Sequence, residues 1–139
     1  MRKLPAVEEA RALMTEAQDW SVWHWLTDKR RVRATADRAT EALGELEKKV
    51  KAGWSDELRK AAGNGHLRSL DPELKSELQQ LKEAEETAET SRLDAEATFD
   101  EAERRLSANM AREGAQKAIT SWELREKAIR KAEALGRKR

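Results

Sequence analysis

Residues 19–26, Asp-Trp-Ser-Val-Trp-His-Trp-Leu, hold three of the five tryptophans of this 139-residue chain. The rest of the sequence is rich in alanine, leucine and charged residues, with no tyrosine and one phenylalanine. Because large rings supply much of the apolar area that such a chain can bury, helices are expected to meet at this tryptophan segment. On a helix, Trp20 and Trp23 share a face with His24, and Trp25 points the other way. We predict that at least two of the three rings are buried at a helix junction; the alternative is an exposed hot spot for a protein partner.

The composition indicates long helices with thin apolar seams. Charged residues make up 40% of the chain and apolar residues 38%, and there are only six glycines and two prolines. This balance suits an all-α protein better than one with a round, strongly apolar core. The length suits a single helical domain that spans residues 1–139.

The N-terminal part, residues 5–52, is predicted to form one helix or two. Between Ala6 and Leu43 there is neither glycine nor proline, and apolar residues recur at steps of three and four, which is typical of a helix face. Thr27 could cap a second helix start. Nothing in the sequence forces a break there, so we favour one helix, bent at most.

The C-terminal part is predicted to be one long helix over residues 72–135. A connection at residues 53–70, which includes a short helix, leads into Asp71-Pro72-Glu73, a combination typical of a helix start. The apolar repeat shifts phase by about four residues further on, where a bend near residues 107–115 is allowed. Without a break, this helix would be roughly 96 Å long.

Charge suggests how the two parts pair. Residues 28–54 carry eight basic and five acidic side chains, whereas residues 71–103 carry three basic and twelve acidic ones. Their attraction favours a long antiparallel helical hairpin of the coiled-coil type. The last turns would then overhang and present Trp122 and Ile129 to a partner. The alternative is an elongated three- or four-helix bundle with a short connecting helix, in which the tryptophans belong to the core; we favour the hairpin.

The sequence shows none of the motifs that enzymes or metal sites need. It has no cysteine, and neither of its two histidines, His24 and His66, follows a glutamate at the spacing of a di-iron bundle. No serine–histidine–acid arrangement or phosphate-binding loop is recognisable. We therefore expect a protein that is not an enzyme and that needs no metal or cofactor.

The predicted function is a helical protein–protein interaction module, which acts as an adaptor, scaffold or complex subunit. Its partner would be another protein or a second copy of the chain, with a homodimer forming through the C-terminal helix. Tryptophan and arginine dominate such interfaces. The candidate binding residues are Trp20, Trp23, Trp25, Arg30, Arg31, Arg33, Trp122 and Ile129.

The alternative function is binding of nucleic acid. The basic clusters at residues 29–33 and 137–139 could neutralise phosphates, and a nearby tryptophan could stack on a base. A membrane-surface anchor ranks third, because the tryptophans do not share one face. The longest mainly apolar run, residues 20–26, is far shorter than the roughly 20 residues that span a bilayer. We expect no membrane span and a cytoplasmic location.

Overall fold

The computed structural model describes residues 3–64 and 71–138, and these residues form α-helices without any β-strand. The all-α prediction is confirmed, and the helices assemble as an elongated bundle. The five helices are α1 (Pro5–Glu16), α2 (Val22–Ala52), α3 (Asp56–Asn64), α4 (Pro72–Arg105) and α5 (Ala108–Lys138), with a 3-10 turn at Ala17–Asp19 between α1 and α2.

Helix α5 lies at the centre of the bundle, where it packs against α4, α2 and α1. It runs antiparallel to α4: Lys117 contacts Asp94 at 3.2 Å, and Lys138 at its end contacts Glu77 near the start of α4 at 2.9 Å. It also runs antiparallel to α1, because Arg11 near the chain start pairs with Glu126 in the second half of α5. The C-terminal residues therefore have partners within the chain.

The basic helix α2 lies beside the acidic helix α4, as the charge distribution predicts. Lys29 contacts Glu103 at 2.7 Å at one end of this pair of helices. Lys51 contacts Glu85 at 2.9 Å near the other end. The order of these contacts makes α2 antiparallel to α4, and hence parallel to α5.

The first break in the chain lies at residues 17–21, so residues 5–52 form two helices. The favoured prediction of one helix was wrong, and so was the proposed start at Thr27, which lies inside α2. Trp20 leaves the helical conformation (φ −75°, ψ 144°) and places its ring in the core. Ser21 then caps α2, because its hydroxyl accepts a hydrogen bond from the His24 N–H at 3.2 Å.

The second break lies at Leu106 and Ser107, so the predicted long helix 72–135 is two antiparallel helices. Leu106 adopts the left-handed conformation (φ 51°, ψ 48°), and the Ser107 N–H donates to the Ala102 carbonyl at 3.0 Å, as in a Schellman helix end. The Ser107 hydroxyl accepts from the Met110 N–H at 3.2 Å and so starts α5. The expected bend near 107–115 is therefore a full reversal of the chain, which lets α4 and α5 bury their apolar faces against each other.

Two apolar clusters fill the bundle. The larger one joins α1, α2, α4 and α5 and contains Trp20, Trp25, Phe99 and Trp122. The smaller one joins α3 to α4 and α5 around Trp54, whose indole N–H donates to the Ala132 carbonyl at 2.8 Å. Within the described part of the chain, no helix combines the length and the apolar character needed to cross a membrane.

Candidate functional site

The three rings of the tryptophan segment have different environments. Trp20 and Trp25 are buried in the larger cluster, which confirms the prediction that at least two rings fill a helix junction. Trp20 stacks on His24, with ring centroids 4.1 Å apart. Trp23 lies on the outer side of α2 and is 75% exposed. Of the three rings, Trp23 is thus the one that a partner can reach.

Trp122 and Ile129 lie inside the bundle, contrary to the overhang hypothesis. Their exposed fractions are 2% and 1%, because α5 folds back along α4 and is covered by α1 and α2. The Trp122 indole N–H donates to the Thr40 hydroxyl at 3.4 Å. These two residues hold α5 in place and are not available to a partner in this arrangement.

The three candidate arginines differ in how far the chain itself uses them. Arg33 contacts Asp100 at 2.7 Å and Arg31 contacts Asp28 at 3.5 Å. Arg30 is exposed and has no ion pair among the described residues. Since Arg30 follows Trp23 by seven residues, the two side chains lie on the same outer stripe of α2.

Leu106 adds an apolar side chain that sequence reasoning missed. It is 59% exposed at the α4–α5 reversal. The Lys29–Glu103 ion pair ties α2 to the end of α4. Trp23 comes shortly before Lys29 in the chain, and Leu106 comes shortly after Glu103. Trp23 and Leu106 therefore lie at the same end of the bundle. The phase shift in the apolar repeat is the sequence signal for this reversal, although a phase shift is equally compatible with a bend. Trp23, Arg30 and Leu106 together are called the end surface below.

A charge network lies at the other end of α2. Glu47 accepts a hydrogen bond from Arg125 and is 3.0 Å from Lys51, which also contacts Glu85. Burial alone would raise the pKa of Glu47, but hydrogen bonds with Glu85 and Lys51 and the charge of Arg125 outweigh it and lower that pKa to about 2. Burial and the hydrogen bond with Glu47 raise the pKa of Glu85. This network links α2, α4 and α5 and has the chemistry of a structural ion cluster.

The described residues do not bring together three or more histidine, cysteine or acidic side chains in a way that could hold a metal ion. His24 lies at the surface, with its Nε2 3.1 Å from an Asp28 carboxylate oxygen. Its ring is stacked on Trp20, and the contact to Asp28 orients it. The His24 ring is thus part of a local surface contact with Trp20 and Asp28.

The two basic clusters proposed for nucleic acid lie at opposite ends of the bundle. Residues 29–33 are at the α4–α5 reversal, whereas Arg137 and Lys138 are at the end of α5, where both make ion pairs with glutamates. Arg139 lies outside the described residues. Thirty residues of α5 separate these ends by about 45 Å. The two clusters therefore do not form one basic patch.

Comparison of the chain with protein-family models, with curated proteins and with solved structures finds no match.

Proposed function

We propose that this chain is a non-enzymatic helical module that binds another protein, or a second copy of itself, through the end surface. The observation that supports it is Trp23, a large ring that is 75% exposed while its neighbours Trp20 and Trp25 are buried. Tryptophan and arginine are the residues most enriched at the centres of protein interfaces. Arg30, which has no ion pair among the described residues, supplies such an arginine on the same stripe. The lack of cysteine is compatible with a reducing compartment such as the cytoplasm.

Leu106 strengthens this proposal, because it is unfavourable for the isolated chain in two respects. A left-handed backbone costs a non-glycine residue roughly 1–2 kcal/mol, and glycine is the usual residue at this position of a helix end. Its side chain also remains more than half in water. The helix end requires the left-handed backbone, and a partner that covers the side chain would explain why a leucine stands there instead of a glycine.

Trp23→Ala tests the end surface, with Leu93→Ala as the matched control. Leu93 is also a large exposed side chain, at 51%, but it lies in the middle of α4. The parent and both variants are immobilised and exposed to an extract of the native host, and self-association is followed by sedimentation equilibrium. We expect the immobilised parent and Leu93→Ala to retain a partner protein, or to form a dimer in the sedimentation experiment. We expect Trp23→Ala to do neither. Equal behaviour of all three proteins would contradict the proposal.

Leu106→Gly separates binding from stability. Glycine relieves the left-handed backbone, so the free energy of unfolding should rise by about 0.5–1 kcal/mol. The same change removes an apolar side chain from the end surface. Binding of whichever partner the parent chain retains in the preceding assay should therefore weaken. Urea unfolding followed by circular dichroism measures the first effect, and the retention assay measures the second. A stabilised variant that binds as well as the parent would remove Leu106 from the proposed surface.

A further inference from the structure

A slot opens between α2 and α4, with α5 as its floor. The two helices are held together at each side of this slot by long side chains: Arg33 contacts Asp100 at 2.7 Å, and Lys51 contacts Glu85 at 2.9 Å. Between these ion pairs lies a cavity of about 110 Å³. Arg33 closes one end of this cavity, and the cavity is far smaller than a helix, so the slot suits a small molecule.

Alanine side chains and two aromatic rings line the slot together with polar and charged side chains. Ala36 of α2 and Ala95 and Phe99 of α4 belong to its walls, and Ala118 and Trp122 of α5 belong to its floor. An apolar protein cavity of about 150 Å³ holds benzene. The cavity here is smaller, about 110 Å³, but it is open on one side. A single ring or a branched aliphatic group can therefore enter it in part, with any polar group of the ligand at the mouth.

The charged side chains at the mouth of the slot indicate which charge a ligand should carry. Arg33 and Arg92 line the cavity, and both are already neutralised: Arg33 by Asp100, and Arg92 by Glu89 at 2.6 Å and by a further glutamate of α4. Asp37 also lines the cavity and is exposed. Among the described residues it has neither an ion pair nor a hydrogen bond from its side chain. The unpaired charge at the mouth is therefore negative.

We propose that the slot between α2 and α4 binds a small primary amine in its ammonium form. Its ring or branched apolar group packs against Phe99 and Trp122, and its ammonium group pairs with Asp37. Carboxylate pairing favours a cation over a neutral or anionic molecule of the same shape. This site is separate from the end surface and does not depend on the proposed protein partner.

Titration with benzylammonium tests the site, with benzyl alcohol and benzoate as probes of similar shape but different charge. The readout is the indole N–H signal of Trp122 in ¹H–¹⁵N correlation spectra. We expect a saturable shift with benzylammonium, and an affinity for benzyl alcohol that is lower by roughly two- to fivefold, the range of a partly exposed ion pair. No saturable shift, or tighter binding of benzoate than of benzylammonium, would overturn the proposal.

Two pairs of variants locate the binding. Ala36→Leu fills the slot and should abolish the shift, whereas Ala34→Leu, at an exposed position of the same helix, should leave it unchanged. Asp37→Asn should weaken benzylammonium about two- to fivefold and leave benzyl alcohol unaffected, and Glu41→Gln should change neither. Because Asp37 is at the surface, this pair remains informative if Ala36→Leu does not fold. Equal affinities of the parent and Asp37→Asn for benzylammonium would refute the role of Asp37.

Discussion

Gly44 and Gly114 both lie inside long helices, yet their surroundings differ. A methyl group added at Gly44 would meet nothing within 4 Å. One added at Gly114 would lie 2.9 Å from Cδ1 of Phe99, a ring that is buried in the larger cluster. Gly114 thus permits the close approach of α5 to α4. Gly44 has no such role, and as a glycine inside a helix it lowers the stability of α2.

Gly44→Ala and Gly114→Ala are expected to change stability in opposite directions. Alanine at Gly44 should raise the free energy of unfolding by about 0.5–1 kcal/mol, because it lowers the backbone entropy of the unfolded chain. Alanine at Gly114 should lower it by roughly 1–3 kcal/mol, because Phe99 must move in a packed core. Urea titrations followed at 222 nm measure both. A Gly114→Ala variant as stable as the parent would show that the ring can shift without cost.

The C-terminal third of α2 is held by its charge network, and the lowered pKa of Glu47 gives that network a pH dependence. A carboxyl whose pKa falls on folding stabilises the fold fully above its unfolded pKa. This stabilisation is lost as pH falls through the folded pKa. For Glu47 that interval runs from its ordinary value of 4.5 down to about 2. Glu85 acts with the opposite sign, since its raised pKa favours the protonated form in the folded chain.

Glu47→Gln is expected to lower the free energy of unfolding by about 1–3 kcal/mol at pH 7, because Arg125 and Lys51 lose a charged partner. The difference between parent and variant should shrink at pH 3, where part of the contribution of Glu47 is already lost. Urea titrations at the two pH values measure this difference in the free energy of unfolding. Glu45→Gln is the matched control: its partner Lys48 is exposed, and the expected change is below about 0.5 kcal/mol at both pH values. A difference that does not depend on pH would argue against the lowered pKa.

The molecule as a whole has the length of one long helix. α4, with 34 residues, is the longest helix of the described chain, and 34 residues span about 51 Å. Small-angle X-ray scattering of the monomer should therefore give a maximum dimension of roughly 55–65 Å, which is the helix plus side chains. A value near 90 Å would mean that α4 and α5 continue as one helix in solution, and would contradict the reversal at Leu106.

The helical class, the helix start at Pro72, the short connecting helix and the attraction between α2 and α4 could all be predicted from the order of residues. These properties depend on contacts within one or two turns, or on charge summed over a long segment, and both can be read from spacing and composition. The burial of Trp20 and Trp25 followed from the number and size of the rings.

The two breaks depended on contacts between distant residues. Local preferences near Ser21 and Ser107 allow either a continuous helix or a cap, and the choice is made by the apolar area that α1 and α5 bury when they fold back. The break at Trp20 also removes that residue from the helical repeat, so Trp20 and Trp23 do not share a face as a continuous helix predicts. The same reversals bury Trp122 and Ile129, leave Trp23 and Leu106 exposed at one end and open the slot between α2 and α4. Which side chains remain exposed is a property of the packed bundle, because burial requires a partner that spacing along the chain does not identify.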